Sequence, residues 1–103
     1  MIKEIKIILE YKCYPVWLYD ENGEITDTLL PEELRSDSEL DSLFDNIQSE
    51  YDSLFIDNDK EFIYTGFENE NDKQIFLSEC RNAIEKLTAE CHGKYKITNK
   101  ILV

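Results

Sequence analysis

The feature that most constrains the fold is a block of acidic residues that carries an amphipathic pattern. Residues 20–72 contain eighteen acidic and two basic residues, a net charge of −16, whereas the segments on either side are weakly basic. From Leu40 to Phe55 the apolar residues nevertheless recur at spacings of three and four, the spacing of one face of an α-helix. The acidic block is therefore predicted to fold, with a helix over about residues 39–55.

The polar face of this predicted helix is acidic. Ser38 precedes the helix as the expected N-cap residue, because its hydroxyl can accept a hydrogen bond from a free backbone N–H of the first turn. The carboxylates expected on the polar face are Asp41, Asp45, Glu50 and Asp52. One side of the helix is thus predicted to enter the core and the other to form a ridge of carboxylates.

The rest of the chain is predicted to form strands and a second helix. Alternating apolar and polar residues, aromatic and β-branched runs and an Asn22-Gly23 turn favour strands, and Gly93 marks the end of the second helix. The predicted strands cover residues 3–12, 14–19, 24–29 and 61–67, the second helix covers residues 72–91, and residues 95–103 form a last strand or a tail. This order predicts the α+β class: a mainly antiparallel sheet of about four or five strands with two helices packed on one face, in a single domain covering residues 1–103.

The charge and the cysteine content of the chain make some functions and some cellular locations less favourable than others. The whole chain has 23 acidic and 11 basic residues, and nucleic acids and anionic membranes require clusters of Lys and Arg. Direct binding to nucleic acid or to a membrane is therefore not expected. The chain starts without an uninterrupted apolar signal segment, and its three cysteines fit a reducing compartment, so a cytoplasmic location is expected.

No pattern in the sequence predicts a catalytic residue, a metal site or a cofactor. Cys91 and His92 are neighbours on a predicted helix, where consecutive side chains point about 100° apart and do not form a nucleophile and its base. Cys80 has the spacing of a core residue. The acidic turns starting at Asp20 and Asp57 lack the glycine that a calcium loop needs at its sixth position. These observations favour a binding protein over an enzyme.

In size, acidity, expected location and α+β class, the chain resembles the small bacterial immunity proteins of toxin–immunity systems. The resemblance implies direct binding to a toxin domain, which in many such systems is a basic nuclease. It further implies that the acidic surface docks on a basic face of the toxin and occludes or distorts its active site. Complementary charge would then make the association fast.

A basic protein is accordingly the expected partner, with carboxylates that steer it and aromatic side chains that hold it. The residues predicted to bind the partner are Asp37, Asp41, Asp45, Glu50, Tyr51, Asp52, Asp57, Asp59 and Tyr64. The other large aromatic residues, Trp17, Phe44, Phe55 and Phe62, are expected in the core. Two alternatives remain: a mimic of nucleic acid or regulator that occupies a basic groove on a cellular protein, and a small enzyme or ligand-binding domain.

Overall fold

The computed structural model describes residues 1–103 and contains a four-stranded sheet, three strands of which come from the start of the chain. Strands β1 (Ile2–Ile7), β2 (Val16–Asp20) and β3 (Ile25–Asp27) form an antiparallel meander. The turn between β2 and β3 contains Gly23 at a positive φ of 77°, a conformation that favours glycine. The hairpin predicted from Asn22-Gly23 is therefore confirmed.

The fourth strand of the sheet comes from the end of the chain. Strand β6 (Lys96–Asn99) lies parallel to β1 and gives the sheet order β3-β2-β1-β6. Residues 95–103, for which the sequence predicted a strand or a tail, thus supply a short strand followed by four residues outside regular structure. The α+β class is confirmed, and the sheet is mixed because of this one parallel pair.

Two helices cover one face of the sheet. Helices α1 (Ser38–Asp52) and α2 (Glu70–Cys91) pack against each other, and a short 3₁₀ turn, Glu32–Leu34, precedes α1. Alternate side chains of β1 and β2 point into a continuous core that the helices complete. The buried core residues are Ile5, Ile7, Val16, Leu18, Leu30, Leu40, Phe44, Ile47, Phe76, Cys80, Ala83, Leu87 and Cys91. Strands β1 and β2 thus each present one apolar face, as a half-buried sheet requires, whereas all three residues of β3 are exposed.

Helix α1 begins and ends earlier than the sequence predicted. Asp37, rather than Ser38, is the N-cap residue, and its carboxylate accepts a hydrogen bond from the backbone N–H of Leu40 at 3.0 Å. The helix ends at Asp52, so Phe55 does not extend its apolar face. Phe55 instead opens strand β4 (Phe55–Asp57).

A separate hairpin follows α1 directly. Strand β4 pairs antiparallel with β5 (Phe62–Tyr64), and the two form a sheet of their own. The strand predicted over residues 61–67 is therefore shorter and does not join the main sheet. Phe62, expected in the core, is 57% exposed and faces solvent on this hairpin.

Helix α2 starts at Glu70, two residues before its predicted start, because Asn69 caps it. The Asn69 side chain accepts a hydrogen bond from the backbone N–H of Asp72 at 2.8 Å. At the other end His92 and Gly93 both take positive φ angles, which closes the helix as predicted for Gly93. Ile75, expected to face inward, is 51% exposed.

Candidate functional site

The acidic side chains of α1 form two rows rather than one ridge. At about 100° per residue, Asp41, Asp45 and Asp52 lie within about 40° of one another, whereas Glu50 lies about 180° from Asp41. The first row borders the loop after β1, and Glu50 borders α2. The outermost line of the helix between the rows is polar and uncharged: it consists of Ser42, Asn46, Ser49 and Ser53, all exposed.

The row Asp41, Asp45 and Asp52, here called the acidic row, is held by the loop after β1. The hydroxyl of Tyr14 donates a hydrogen bond to Oδ1 of Asp41 at 2.8 Å. Burial of the Tyr14 ring is the main cause that raises the pKa of the phenol, and its hydrogen bond to Asp41 is the second cause. Partial burial and the neighbouring charge of Asp41 also raise the pKa of the exposed Asp45 carboxyl. Asp41 and Asp45 of this row are thus close enough to influence each other electrostatically.

Asp52, at the end of the acidic row, is fixed by an unusual backbone conformation. Lys12 has a positive φ of 58°, and its backbone N–H donates a hydrogen bond to Oδ1 of Asp52 at 2.8 Å. A non-glycine residue in this region costs on the order of 1 kcal/mol or more, so the contact offsets local strain. Nothing in the spacing of the sequence indicated Lys12 as part of the site.

The two tyrosines predicted to bind a partner do come together. The ring centroids of Tyr51, on α1, and Tyr64, on β5, lie 6.5 Å apart, and Phe55 lies between them at 5.2 and 5.1 Å. Two further rings complete the group: Tyr11 lies 4.8 Å from Phe55, and Phe62 lies 5.3 Å from it. These five rings form the aromatic cluster, which joins the hairpin to the body of the protein.

Asp57 and Asp59 lie next to this cluster. Oδ2 of Asp57 accepts a hydrogen bond from the hydroxyl of Tyr11 at 3.1 Å and lies 4.0 Å from Nζ of Lys12. Asp59 is exposed in the turn between β4 and β5. Asp57 is connected to Asp52 through the Tyr11-Lys12 segment. Carboxylates of the acidic row and of the hairpin therefore border one surface that also contains exposed aromatic rings.

Asp37 and Glu50, also predicted as binding residues, lie on the α2 side of α1. The hydrogen bond from the backbone N–H of Leu40 is the main cause that lowers the pKa of Asp37. A hydrogen bond between the carboxyls of Asp37 and Glu90 lowers the pKa of Asp37 further and raises the pKa of Glu90. Burial, and then a hydrogen bond with the carboxyl of Glu79, raise the pKa of Glu50 to about 7. The structure thus gives these two residues contacts between helices, and does not bring them to the aromatic cluster.

The remaining reactive side chains do not come together. Burial raises the pKa of the Cys80 thiol to about 12 and that of Cys91 to about 11, so both stay protonated at neutral pH. Cys91 points into the core while the following His92 is exposed. No three His, Cys, Asp or Glu side chains gather in a way that could hold a metal ion.

Several residues of this surface were not predicted from the sequence: Tyr11 and Lys12 on the loop, and Ile56, Phe62 and Ile63 on the hairpin. The turn residues Asp57-Asn58-Asp59, which stand between two apolar runs, were the available signal for the hairpin. That signal was masked because Phe55 also fits the helical spacing from Tyr51. For Tyr11 and Lys12 the sequence held no comparable signal, since their position depends on tertiary packing.

The fold and this surface together define a small acidic α+β protein with an aromatic surface bordered by carboxylates. Exposed aromatic groups of this kind are enriched in protein interfaces. Residues 3–100 match the family described as Serratia CdiI immunity protein-like, and the chain therefore belongs to this family. No curated protein matches the chain. None of the helices is both long and apolar enough to cross a membrane.

Proposed function

We propose that this protein neutralises a basic, nuclease-type toxin domain by binding it directly. Membership of an immunity protein family supports an immunity function, and immunity implies a cognate toxin. One observation supports a basic partner: the surface beside the aromatic cluster is acidic. It contains Asp41, Asp45 and Asp52 of the acidic row and Asp57 and Asp59 of the hairpin. A nuclease must carry a positively charged groove for phosphates, and such a groove complements this surface.

In the proposed mechanism the two kinds of side chain have different roles. The carboxylates attract the toxin over a distance set by the ionic strength, about 10 Å at 0.1 M salt, and thereby raise the association rate. The aromatic rings then bury apolar surface and slow dissociation. Covering the basic groove prevents the toxin from binding its substrate.

The experiment uses the toxin domain encoded beside this gene in its native genome. The domain is expressed in a test bacterium with and without this protein, and the purified toxin is assayed on DNA and RNA with increasing immunity protein. We expect protection of the cells and complete inhibition of nucleic acid cleavage at a 1:1 ratio. Killing that continues in the presence of the folded protein contradicts the immunity function. Protection against a toxin that cleaves neither DNA nor RNA contradicts only the nuclease assignment.

The acidic row is tested with the triple variant Asp41→Asn, Asp45→Asn and Asp52→Asn. Asparagine keeps an oxygen that can accept the hydrogen bonds from Tyr14 and Lys12. The matched control removes three exposed carboxylates near the β3 edge, through Glu24→Gln, Asp27→Asn and Glu32→Gln. We expect the first variant to bind the toxin at least about tenfold more weakly than the control variant. Equal binding of the two would show that the acidic row is not the interface.

A further inference from the structure

The β4–β5 hairpin exposes an unusual share of the apolar side chains. Of the eight large hydrophobic residues that are exposed in the whole protein, four lie in the ten residues from Phe55 to Tyr64. They are Ile56, Phe62, Ile63 and Tyr64, with exposed fractions of 42%, 57%, 45% and 47%. Exposed apolar residues that are scattered singly are ordinary, but four of them in one hairpin mark that element as a site of interaction.

The register of the hairpin separates its two faces. Phe55 pairs with Tyr64 and Asp57 with Phe62, so these side chains share the face that carries the aromatic cluster. Ile56 pairs with Ile63 on the opposite face. A two-stranded hairpin is marginally stable by itself, and the aromatic face supplies the packing that holds this one in place. The Ile56 and Ile63 pair on the outer face remains 42% and 45% exposed.

The charges around the hairpin identify the kind of partner that can cover it. Asp57 ends β4, and Asp59 and Glu61 follow in the turn, all of them exposed. Lys60 is the one basic residue among them, so residues 57–61 have a net charge of −2, and a second copy of this chain would bring a hairpin of the same negative charge to this one. Like charges in contact cost several kcal/mol, whereas a basic partner would neutralise them. The charges therefore favour a partner whose apolar patch is bordered by Lys and Arg.

We propose that the outer face of the β4–β5 hairpin, centred on Ile56 and Ile63, is the apolar anchor for the toxin. This inference rests on the proposed function, and it assigns to the toxin an apolar patch flanked by basic residues. The inner face of the hairpin adjoins the acidic row through Tyr11 and Lys12, so a partner that contacts both the row and the anchor extends around the edge of the hairpin. The anchor adds to the aromatic rings in slowing dissociation, and the carboxylates determine how fast the complex forms.

The test is the double variant Ile56→Thr and Ile63→Thr, because threonine keeps the β-branched shape that suits a strand and removes apolar surface. The matched control is Ile25→Thr on β3, where an isoleucine is 49% exposed. Association and dissociation rates with the neighbouring toxin domain are measured by surface plasmon resonance. We expect the double variant to dissociate at least about tenfold faster with an association rate changed less than about threefold, and the control to match the wild type.

A circular dichroism spectrum in the near ultraviolet and the urea midpoint show whether the double variant is folded. A folded double variant that dissociates like the wild type overturns the anchor, while binding by the wild type still upholds the proposed function. Sedimentation equilibrium tests the other occupant without the toxin. A wild-type dimer that the double variant abolishes overturns the inference in favour of self-association. A wild type that neither binds the toxin nor dimerises overturns both proposals.

Discussion

At the scale of single residues, the most unusual group in the protein is the pair of carboxyls formed by Glu50 and Glu79 between the two helices. Partial burial disfavours the charged form of Glu50, and the neighbouring carboxyl of Glu79 adds to the effect, so the pKa of Glu50 rises to about 7 from its ordinary 4.5. They border a depression of about 370 Å³ whose other residues include Glu68, Phe67 and Phe76. No basic side chain lines that depression, which leaves a shared proton to neutralise the pair.

The raised pKa of Glu50 makes the stability depend on pH. Between about pH 4.5 and 7 the folded protein holds a proton that the unfolded chain releases, so stability falls as the pH rises through this window. We expect Glu50→Gln to raise the free energy of unfolding at pH 8 by about 1 kcal/mol, a value reduced because Glu50 is largely exposed to screening solvent. At pH 5 the gain should largely disappear. Urea unfolding at the two pH values measures both.

The control for this prediction is Glu85→Gln, an exposed carboxylate on α2 that has no hydrogen bond in the structure. It should change the stability by less than about 0.5 kcal/mol at either pH, as surface substitutions usually do. An equal gain from Glu85→Gln would mean that lowering the net charge stabilises the protein, without any special role for the Glu50 and Glu79 pair.

At the scale of the elements, the start of α1 shows how a cap determines where a helix begins. The sequence predicted Ser38 as the cap, whereas the structure uses Asp37 and makes Ser38 the first helical residue. Both residues have side chains suited to capping, so composition did not separate them. The carboxylate of Asp37 also completes the negative charge that Glu39 and Asp41 place at the positive end of the helix dipole.

Substitutions at the two candidate caps should therefore differ. We expect Asp37→Ala to lower the free energy of unfolding by about 1 kcal/mol, because the backbone N–H of Leu40 loses its partner. Asp37→Asn keeps an acceptor oxygen and should recover most of this loss, whereas Ser38→Ala should have little effect. Urea unfolding of the three variants measures the series. A larger loss from Ser38→Ala than from Asp37→Ala would restore the sequence-based assignment of the cap.

The elements also show which parts of the fold were within reach of the sequence. Periodicity located the two helices and the meander, since each of these depends on contacts local in the chain. The end of α1 was missed because Phe55 does contact Tyr51, as the helical spacing required, but from a strand beyond a turn. The parallel pairing of β6 with β1 joins the two ends of the chain, and its four residues carried no signal for that partner.

The candidate site was predictable to a similar extent. Tyr51 and Tyr64 meet as expected, because one belongs to a helix and the other to the hairpin that folds back on it. Glu50 was assigned to the same ridge as Asp41, although rotation along the helix places it on the opposite edge. Tyr11 and Lys12 complete the surface through tertiary contacts, which no local spacing reports.

At the scale of the whole molecule, the net charge of −12 is unevenly distributed over the fold. The acidic block supplies α1 and the hairpin, while three of the six basic residues beyond position 72 lie at the end of the chain, at Lys94, Lys96 and Lys100. Lys94 forms an ion pair with Glu33 at 2.9 Å, and Lys86 forms one with Glu39 at 2.8 Å. These pairs neutralise carboxylates away from the acidic row, whose own carboxylates form no ion pair.

An uneven field of this kind predicts a strong effect of salt on association with a basic toxin. Raising the salt concentration from 50 to 500 mM should lower the association rate at least about tenfold, because the screening length falls below the distance over which the carboxylates act. The dissociation rate should change much less, since contacts within the complex exclude solvent ions. Stopped-flow fluorescence of a dye on the toxin gives both rates. The triple variant that neutralises Asp41, Asp45 and Asp52 should start from a slower rate and lose less of it with salt than the β3-edge control. If the wild type and both variants show the same weak dependence on salt, the acidic row does not steer the partner and the apolar hairpin would have to account for recognition without it.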